Sequence, residues 1–357
     1  MARVGVDAHV LDGKRQGSRT WLANTLAALA QNPGRHRWVI YSAEPELTRA
    51  LYRTDAFEHR PMRRQGPLGR QLWFLPQAAR RDALDGLVVQ YSGPPFVRIP
   101  TFVVIHDLLF ESNPELFPAF MRWRLRILCR MTARRAAAVF TVSQHVADEI
   151  RRTYGVAPER IRLAPNGVSQ PLTPSPSDDA RAVALRPFVL CVGRLEPRKN
   201  VGLALQASAA ARSAGARLVV VGQADFGSAS LARALAVEPN VVHITDASDS
   251  LLASLYRRAA ALVYPSLGEG FGIPIIDALA HGTPVLASNR PAIPEIGGTL
   301  ATYFDPRAPT AAQDLGAMIE RVLAESPRLD GKAVAAHLAR FDWSIGAAAL
   351  VRAADAL

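Results

Sequence analysis

The feature that most constrains the fold is the alternation of short apolar runs with helical patterns along the whole chain. The predicted strands of the first half cover residues 3–7, 37–41, 86–90, 101–105 and 138–142. Those of the second half cover residues 188–192, 217–221, 241–244, 261–263 and 285–287. The clearest helices cover residues 21–31, 144–154 and 201–213, and Ser143 is placed to cap the second of them. Strands that alternate with helices are typical of βαβ units, so the pattern predicts an α/β protein with parallel sheets.

Length and composition favour two domains. The chain has 357 residues, of which 49% are hydrophobic, enough for two buried cores. Residues 169–179 are rich in Pro, Ser and Asp, which is typical of a linker. We therefore predict a doubly wound domain over residues 1–168, a linker over 169–187, a second such domain over 188–342 and a terminal helix over 343–357. Ligands of such sheets bind at the carboxyl ends of the strands.

One loop and the helix after it have the composition of a ligand site. Glu269 lies in a loop with glycines at positions 270 and 272, and Asp277 lies about one turn into the helix that follows. This helix is predicted to end near His281, before a Gly-Thr-Pro turn. Glycine permits close approach of the backbone, and the free N–H groups of a helix start attract anions and hydroxyls. In isolation, however, the same residues also fit an exposed turn.

A second candidate site follows the predicted strand 188–192. Arg194 and Lys199 flank the turn between this strand and a helix that begins near Asn200. Two cations at the start of a helix suit a diphosphate group, because negative charge develops on such a leaving group as its bond breaks. On spacing alone, a solvated basic turn remains an equal alternative.

Five segments, taken in order, resemble the motifs of glycosyltransferase family 4, which comprises retaining enzymes of the GT-B architecture. These segments are residues 105–107, 165–168, 192–200, 269–277 and 282–285. They resemble the acceptor-side histidine, the interdomain junction, the Arg and Lys donor motif, the motif of two acids separated by seven residues, and the turn after it. The chain departs from the family pattern twice. The second acid is Asp277 instead of Glu, and the N-terminal loop, Gly17-Ser18-Arg19-Thr20, lacks its second glycine.

The resemblance implies a GT-B fold of two Rossmann-like doubly wound domains that face a cleft, with the terminal helix crossing back to the first domain. It implies that Arg194 and Lys199 hold a nucleotide diphosphate and that Glu269 accepts hydrogen bonds from the donor sugar. The remaining donor-binding residues would be Gly17, Gly270, Phe271, Gly272, Asp277 at the ribose, and Glu295. Asp277 could instead be a helix surface acid and Glu295 a surface loop acid.

His106 follows the predicted strand 101–105. The resemblance implies that it lies by the donor sugar and orients the sugar or the acceptor. A single histidine is more often a structural hydrogen-bonding group. Asp107 is expected to cap the turn that follows.

Positive charge is concentrated in the first half of the chain. The net charge is +11, and residues 1–168 contain 25 Lys and Arg against 14 Asp and Glu, whereas the remainder is balanced at 17 of each. Within residues 117–135, basic residues recur every four positions, with Trp123 on a neighbouring face: Arg122, Arg126, Arg130 and Arg134. Such a segment predicts binding to an anionic membrane or to the acceptor. The alternative is a helix whose apolar side packs in the core while its arginines are solvated.

Metal and disulfide chemistry are not predicted. The two cysteines, Cys129 and Cys191, each lie in an apolar run, and no Asp-x-Asp triplet occurs, so we expect neither a metal nor another cofactor. Met1 leads directly into the first strand, and no apolar run reaches the ~18–20 residues of a membrane span. We therefore expect a cytoplasmic protein, peripheral at the inner face of the plasma membrane.

The predicted function is the transfer of a sugar from a nucleotide diphosphate sugar to a lipid-linked or saccharide acceptor during synthesis of a bacterial surface polysaccharide. GDP-mannose is the expected donor, with UDP-sugars close behind. A nucleotide-sugar epimerase of the same architecture is the nearest alternative, but it would not need the Arg194, Lys199 and Glu269 motifs. A nucleic-acid-binding protein would account for the charge, but no recognition motif supports it. A dinucleotide-dependent oxidoreductase is disfavoured, since no Gly-x-Gly-x-x-Gly follows the first strand. The oligomeric state is not predicted.

Overall fold

The computed structural model describes residues 1–13, 16–169, 174–225 and 228–357, which form two compact units. Unit 1 consists of Met1–Gly167 together with Phe341–Leu357, and unit 2 of Val168–Arg340. Unit 1 is therefore built from both ends of the chain, whereas unit 2 is one continuous segment.

The described part of unit 1 contains a seven-stranded parallel sheet in the order β3-β2-β1-β4-β5-β6-β7. The strands are β1 (Arg3–Asp7), β2 (Arg37–Ser42), β3 (Phe57–Pro61), β4 (Gly86–Gln90), β5 (Thr101–Ile105), β6 (Ala138–Thr141) and β7 (Ile161–Leu163). All residues of β4 and β6, and all of β5 except Thr101, are buried, as expected for a parallel sheet covered on both faces.

The helices of unit 1 cover this sheet. They are α1 (Gly17–Gln31), α2 (Pro45–Leu51), α3 (Pro67–Gly69), α4 (Leu75–Arg81), α5 (Leu109–Ser112), α6 (Ala119–Arg135), α7 (Gln144–Tyr154) and, from the end of the chain, α16 (Trp343–Asp355). Helix α16 packs against α1, and Asp355 Oδ1 lies 3.1 Å from His36 Nε2. Ser143 caps α7 by accepting a hydrogen bond from the backbone N–H of Val146, as predicted.

The described part of unit 2 contains a six-stranded parallel sheet in the order β10-β9-β8-β11-β12-β13. Its strands are β8 (Phe188–Val192), β9 (Arg217–Val221), β10 (Val241–Ile244), β11 (Ala261–Tyr264), β12 (Val285–Ser288) and β13 (Ala301–Phe304). Its helices are α8 (Pro176–Val183), α9 (Val201–Ser213), α10 (Ala229–Val237), α11 (Asp249–Arg258), α12 (Ile273–Ala280), α13 (Ile293–Gly297), α14 (Ala311–Glu325) and α15 (Gly331–Leu338). Both sheets have the doubly wound α/β form that the alternating pattern predicts.

Two glycines allow the turns after β8 and β9 to meet. Gly222 has a φ of +157°, and a Cβ atom at this position would lie 1.9 Å from the carbonyl oxygen of Gly193. No side chain can be accommodated there. The turn that carries Arg194 therefore lies directly against the turn after β9.

The prediction of a linker over residues 169–187 is wrong for part of its length. Residues Pro176–Val183 form helix α8, which packs against α11 within unit 2, while residues 170–173 of the predicted linker lie outside the described residues. The residues that indicated a linker also suit a helix start. Ser175 accepts a hydrogen bond from the Asp178 N–H, and proline occupies the first turn. The negative charges of Asp178 and Asp179 in that turn interact favourably with the positive end of the helix dipole.

Cys129 and Cys191 are both buried and free. Among the helices of the described residues, none combines the length and apolar character needed to cross a membrane.

Candidate functional site

The carboxyl ends of β9, β8 and β11 are adjacent in the sheet of unit 2, and the turns that follow them carry charged side chains. Arg194, Arg198 and Lys199 follow β8, Asp225 follows β9, and Glu269 follows β11. The backbone N–H of Leu267 donates to the carbonyl oxygen of Arg198 at 2.8 Å, which joins two of these turns. The parallel sheet therefore assembles the charges at one edge, as strand order requires.

Glu269 is the centre of this cluster. It is 6% exposed, and its two carboxylate oxygens accept hydrogen bonds from different cations. Arg198 Nη1 donates to Oε2 at 2.6 Å and Lys199 Nζ donates to Oε1 at 2.7 Å. Burial alone would raise the pKa of Glu269, but the charges of Arg198 and Lys199 outweigh it and lower this pKa to about 2. The carboxylate is therefore ionised at neutral pH.

Lys199 is held by two neighbours. Its Nζ atom donates to the hydroxyl of Tyr264 at 3.1 Å as well as to Glu269. Burial lowers the pKa of Lys199, and the charge of Glu269 opposes that shift. The ammonium group is thus positioned by the end of β11 and by the loop after it.

The other two cations also have carboxylate partners. Arg194 forms an ion pair with Asp225, and Arg198 Nη2 lies 2.8 Å from Glu196 Oε1. Arg198 was not among the predicted site residues, although it is adjacent to Lys199 in the sequence. Three cations thus converge on this turn, each next to an acid, in an arrangement able to bind a polyanionic group.

The loop before α12 contains two glycines, which permit close approach of the backbone. Gly270, Phe271 and Gly272 are all buried, and Gly272 precedes α12 with a φ of +114°. A side chain at Gly272 would be strained in this left-handed conformation. The loop therefore presents backbone groups at the start of α12.

Asp277 lies on α12, about one turn from its start, and is 7% exposed. Ser169 satisfies both of its oxygens, donating from its backbone N–H to Oδ1 at 3.0 Å and from its hydroxyl to Oδ2 at 3.1 Å. Burial raises the pKa of Asp277 to about 6, and the Ser169 hydrogen bonds only partly offset this. No cation forms an ion pair with Asp277 among the described residues. Asp277 is therefore a buried carboxylate, and the alternative of a helix surface acid does not fit.

Glu295 lies on α13 and is partly buried, with the side chain of Arg340 3.5 Å from its carbonyl oxygen. Its assignment to the nucleotide stays a prediction. Arg194, Lys199, Gly270, Phe271, Gly272, Glu269, Asp277 and Glu295 all lie in unit 2.

His106 and Gly17 lie in unit 1. His106 follows β5 and is buried, and burial lowers its pKa to about 3. Asp107 caps the next turn as predicted, since its Oδ1 accepts from the N–H of Leu109 at 3.2 Å. Gly17 is the first residue of α1, so Gly17 to Thr20 form the first turn of the helix. The prediction that these four residues precede the helix as a loop is therefore wrong.

The arginines of α6 do not form one solvent-facing stripe. Arg122 Nη1 donates to the carbonyl of Pro114 at 3.4 Å, and Arg126 pairs with Glu111 at 2.7 Å. Arg130 and Arg134 are exposed. The apolar residues Phe120, Trp123, Ile127 and Met131 are exposed too, at 74%, 62%, 38% and 38%. These four residues therefore do not pack in the core, and α6 contacts the core through Cys129 and Ala133 instead.

Sequence comparisons identify the family. The model of glycosyl transferases group 1 matches residues 186–324, and the model of Glycosyltransferase Family 4 matches residues 15–170. The O-antigen chain mannosyltransferase RfbU of Salmonella typhimurium is 30% identical over 251 residues, which cover 70% of this chain and 67% of RfbU. The chain belongs to glycosyltransferase family 4.

This glycosyltransferase also resembles longer proteins. The serotype-specific mannosyltransferase WbdA of Escherichia coli is 30% identical over 243 residues, or 62% of this chain but 29% of WbdA. Among solved structures, HepE of Anabaena in complex with UDP and glucose is 19% identical, with a TM-score of 0.73 and full coverage of both chains. The two Rossmann-like parallel-sheet domains of this chain are those of the GT-B architecture, as predicted.

Proposed function

We propose that this glycosyltransferase moves a mannosyl group from GDP-mannose to a lipid-linked or saccharide acceptor, with retention of the anomeric configuration, during synthesis of a bacterial surface polysaccharide. The observation that carries the proposal is the cluster of Arg194, Arg198 and Lys199 on the turn after β8, in which Arg198 and Lys199 both bond to buried, ionised Glu269 and Arg194 pairs with Asp225. A nucleoside diphosphate gains negative charge as it leaves the sugar, and cations held in place stabilise that charge more than the ground state.

Glu269 and Asp277 bind the uncharged parts of the donor, which are the sugar and the ribose. Glu269 is an acceptor for hydroxyl groups of the sugar, because its low pKa keeps it charged. Asp277 accepts from the ribose hydroxyls. It is ionised above about pH 6, and each of its oxygens, already bonded once to Ser169, retains further lone pairs.

The choice of mannose rests on the relatives. RfbU is named as an O-antigen chain mannosyltransferase and WbdA as a serotype-specific mannosyltransferase. The neighbouring structure of HepE contains UDP and glucose, which makes UDP-sugars the competing donor class.

We propose further that transfer needs no divalent metal or other cofactor. Three protein cations are held at the site by carboxylates, and on a bound diphosphate they take the role that a metal ion performs elsewhere. Among the described residues, no three His, Cys, Asp or Glu side chains are grouped as a metal site requires.

A lipid-linked acceptor requires the enzyme to reach a membrane, and α6 has a face suited to that. Phe120, Trp123, Ile127 and Met131 are exposed and are spaced by three or four residues, so they lie on one side of the helix. Arg130 borders this apolar stripe on one flank, and Arg124 and Arg135 border it on the other. Aromatic side chains can enter the interface while the arginines meet anionic headgroups. We propose that unit 1 binds the inner face of the plasma membrane through this surface.

The test is product analysis after incubation with a panel of nucleotide sugars and a bacterial lipid extract. We expect a new glycosylated product with GDP-mannose and release of GDP. A product formed only with a UDP-sugar would contradict the assignment of mannose. Interconversion of the nucleotide sugars without transfer to any acceptor would replace the transferase with an epimerase.

A further inference from the structure

His106 and Gln90 form a buried pair at the carboxyl edge of the sheet in unit 1. Gln90 is the last residue of β4 and His106 directly follows β5, the strand that pairs with β4. His106 Nε2 lies 2.9 Å from Gln90 Oε1, and both residues are buried. The imidazole also contacts the rings of Trp21 and Tyr91, each with a centroid distance of 5.7 Å. The ring is therefore held in one orientation.

This hydrogen bond decides which ring nitrogen carries the proton. An amide oxygen can only accept, so His106 Nε2 must be the donor. A neutral imidazole has a single N–H group, and burial keeps His106 neutral at physiological pH. Nδ1 is therefore a bare acceptor nitrogen.

The amide nitrogen of Gln90 provides the complementary group. Gln90 is 5% exposed, and its Nε2 atom is buried without a hydrogen-bonding partner in the described part of the chain. A buried donor without a partner destabilises a protein, so such groups are rare unless a ligand or water satisfies them. The pair thus offers one unused donor and one unused acceptor.

We propose that Gln90 is a positioning residue that sets the tautomer of His106, and that the two side chains together bind a hydroxyl group of a substrate sugar. A hydroxyl both donates and accepts, so it can donate a hydrogen bond to His106 Nδ1 and accept one from Gln90 Nε2. This assignment rests on the proposed function, since it takes a sugar as substrate. It also makes His106 an acceptor of hydrogen bonds, not a proton donor.

The tautomer can be measured without any substrate. Long-range ¹H–¹⁵N correlation spectra of protein labelled at its 8 histidines distinguish a protonated ring nitrogen from a bare one. The His106 signals are assigned by their loss in His106→Asn. We expect Nε2 protonated and Nδ1 bare, and a proton on Nδ1 would overturn the proposal. His243 is an internal control, because its Nε2 lies 2.8 Å from the backbone oxygen of Gly222 in unit 2.

Two variants test the role of Gln90. Gln90→Leu removes both the oxygen and the nitrogen of the side-chain amide. We expect the His106 spectrum to lose its single Nε2-protonated form while that of His243 is unchanged. Gln71→Leu is the matched control, since Gln71 is another buried glutamine of unit 1 but bonds to Ser92. Loss of the tautomer in both variants, or in neither, would contradict a specific role for Gln90.

Kinetics identify the substrate that carries the hydroxyl. We expect Gln90→Leu to raise KM roughly five- to tenfold for either the donor or the acceptor, with a smaller change in kcat, as for the loss of one hydrogen bond. A rise for the donor assigns the hydroxyl to the transferred sugar, and a rise for the acceptor assigns it to the acceptor. Unchanged KM for both in an active enzyme would overturn hydroxyl binding. Absence of all transfer activity would instead refute the proposed function and leave the tautomer result standing.

Discussion

At the scale of single residues, the site of unit 2 balances its charges before any substrate arrives. Arg194, Arg198 and Lys199 each lie beside a carboxylate, namely Asp225, Glu196 or Glu269. These contacts hold the cations in position, so little reorganisation is needed when charge develops on a leaving group. The arrangement favours the transition state of diphosphate departure over simple tight binding.

The first prediction concerns the two cations of the donor motif. Arg194→Ala and Lys199→Ala should each lower turnover by roughly 10²–10³, because each removes one preorganised stabiliser of developing charge. Steady-state kinetics with a verified donor measure the effect, and thermal unfolding checks that each variant is folded. Arg212→Ala is the control, since Arg212 lies on the same unit at the exposed end of α9 and pairs with Glu238. Near-wild-type turnover in both site variants would remove the diphosphate assignment.

The second prediction concerns how far the buried carboxylate of Asp277 lowers the free energy of unfolding. Its pKa is raised from 3.8 to about 6, so between these values the folded chain binds more protons than the unfolded chain. Stability should therefore fall as pH rises through this window and level off above it. Asp277→Asn removes the titration, so its free energy of unfolding relative to wild type should rise by about 2.5 kcal/mol from about pH 4 to pH 7.5. Urea denaturation at the two pH values measures this difference. A difference independent of pH would mean that the carboxylate is not desolvated.

Asp277 should also contribute to the binding of a nucleoside diphosphate. Asp277→Ala should weaken nucleoside diphosphate binding by about 1.5–3 kcal/mol through loss of a charge-assisted hydrogen bond, whereas Asp277→Glu should preserve it. Calorimetric titration of the two variants decides the point. Equal affinity in the Ala variant and wild type would leave Asp277 as an anchor for Ser169 alone.

At the scale of elements, periodicity predicts which residues of a helix share a side but not which side is buried. The spacing in α6 grouped the apolar residues on one side of the helix, but the arginines do not act as one group. Nothing in the spacing indicated that Arg126 would pair with Glu111 while Trp123 stays 62% exposed. That outcome depends on α5 and the residues after it, which supply acceptors for Arg122 and Arg126.

The third prediction concerns this face of α6. Phe120→Ser with Trp123→Ser should reduce binding to anionic vesicles, because both side chains are exposed and suited to the interface. Reversal of Arg124, Arg130 and Arg135 to Glu should cost several kcal/mol of binding, at about 1 kcal/mol for each Arg lost and more for the repulsion. Vesicle sedimentation measures both. Wild-type protein should be released when salt rises from ~0.05 to ~0.5 M, because screening shortens the range of the attraction.

A matched control for the apolar pair is Val237→Ser in unit 2, where Val237 is 80% exposed. This variant should bind as wild type does. Equal, salt-insensitive recovery of all variants would leave the α6 face as ordinary solvated surface and reopen nucleic acid as the partner of the basic charge.

The strands were predictable where they form an apolar run. The central strands β1, β4, β5, β8 and β9 have the predicted bounds, and so does β10, an edge strand in which three of four residues are apolar. The strands that were missed, β3, β7 and β13, lie at the edges of the two sheets. Edge strands are short and half solvated, as β7 with its exposed Arg162 and Leu163 illustrates, so they lack a continuous apolar run.

Candidate site residues could be named where their chemistry lies in local sequence. Arg194, Lys199, Glu269 and Asp277 became candidates because they belong to the turn after β8 and to the loop and helix after β11, and their roles stay predictions. Residues that contact the site from a distant part of the chain could not be recognised from the sequence. Ser169 bonds to Asp277 across 108 residues, and Gln90 bonds to His106 only because β4 and β5 are paired.

At the scale of the whole molecule, unit 1 needs the last residues of the chain. Trp343 and Leu350 of α16 are buried, and a Cβ atom at Gly34 would lie 2.7 Å from Val351. Burial of two such large apolar side chains contributes about 1.5–3 kcal/mol each, against a typical stability of 5–15 kcal/mol for a domain.

The fourth prediction follows from this dependence. A chain truncated after Arg340 should lose protection of unit 1 against limited proteolysis, while unit 2 remains protected, because α16 packs against α1 and not within unit 2. Mass spectrometry of the fragments reads the result. Equal protection of unit 1 with and without α16 would show that the helix is dispensable.

The measurement that tests the central claim most directly is the anomeric configuration of the first product formed from a verified nucleotide sugar, determined by NMR in the presence of EDTA. The proposed function predicts a product with the configuration of the donor, formed at an undiminished rate, because the protein's own cations stabilise the departing diphosphate. A product of inverted configuration would contradict the assignment to a retaining mechanism. Activity abolished by EDTA and restored by Mg²⁺ would contradict the role given to Arg194, Arg198 and Lys199.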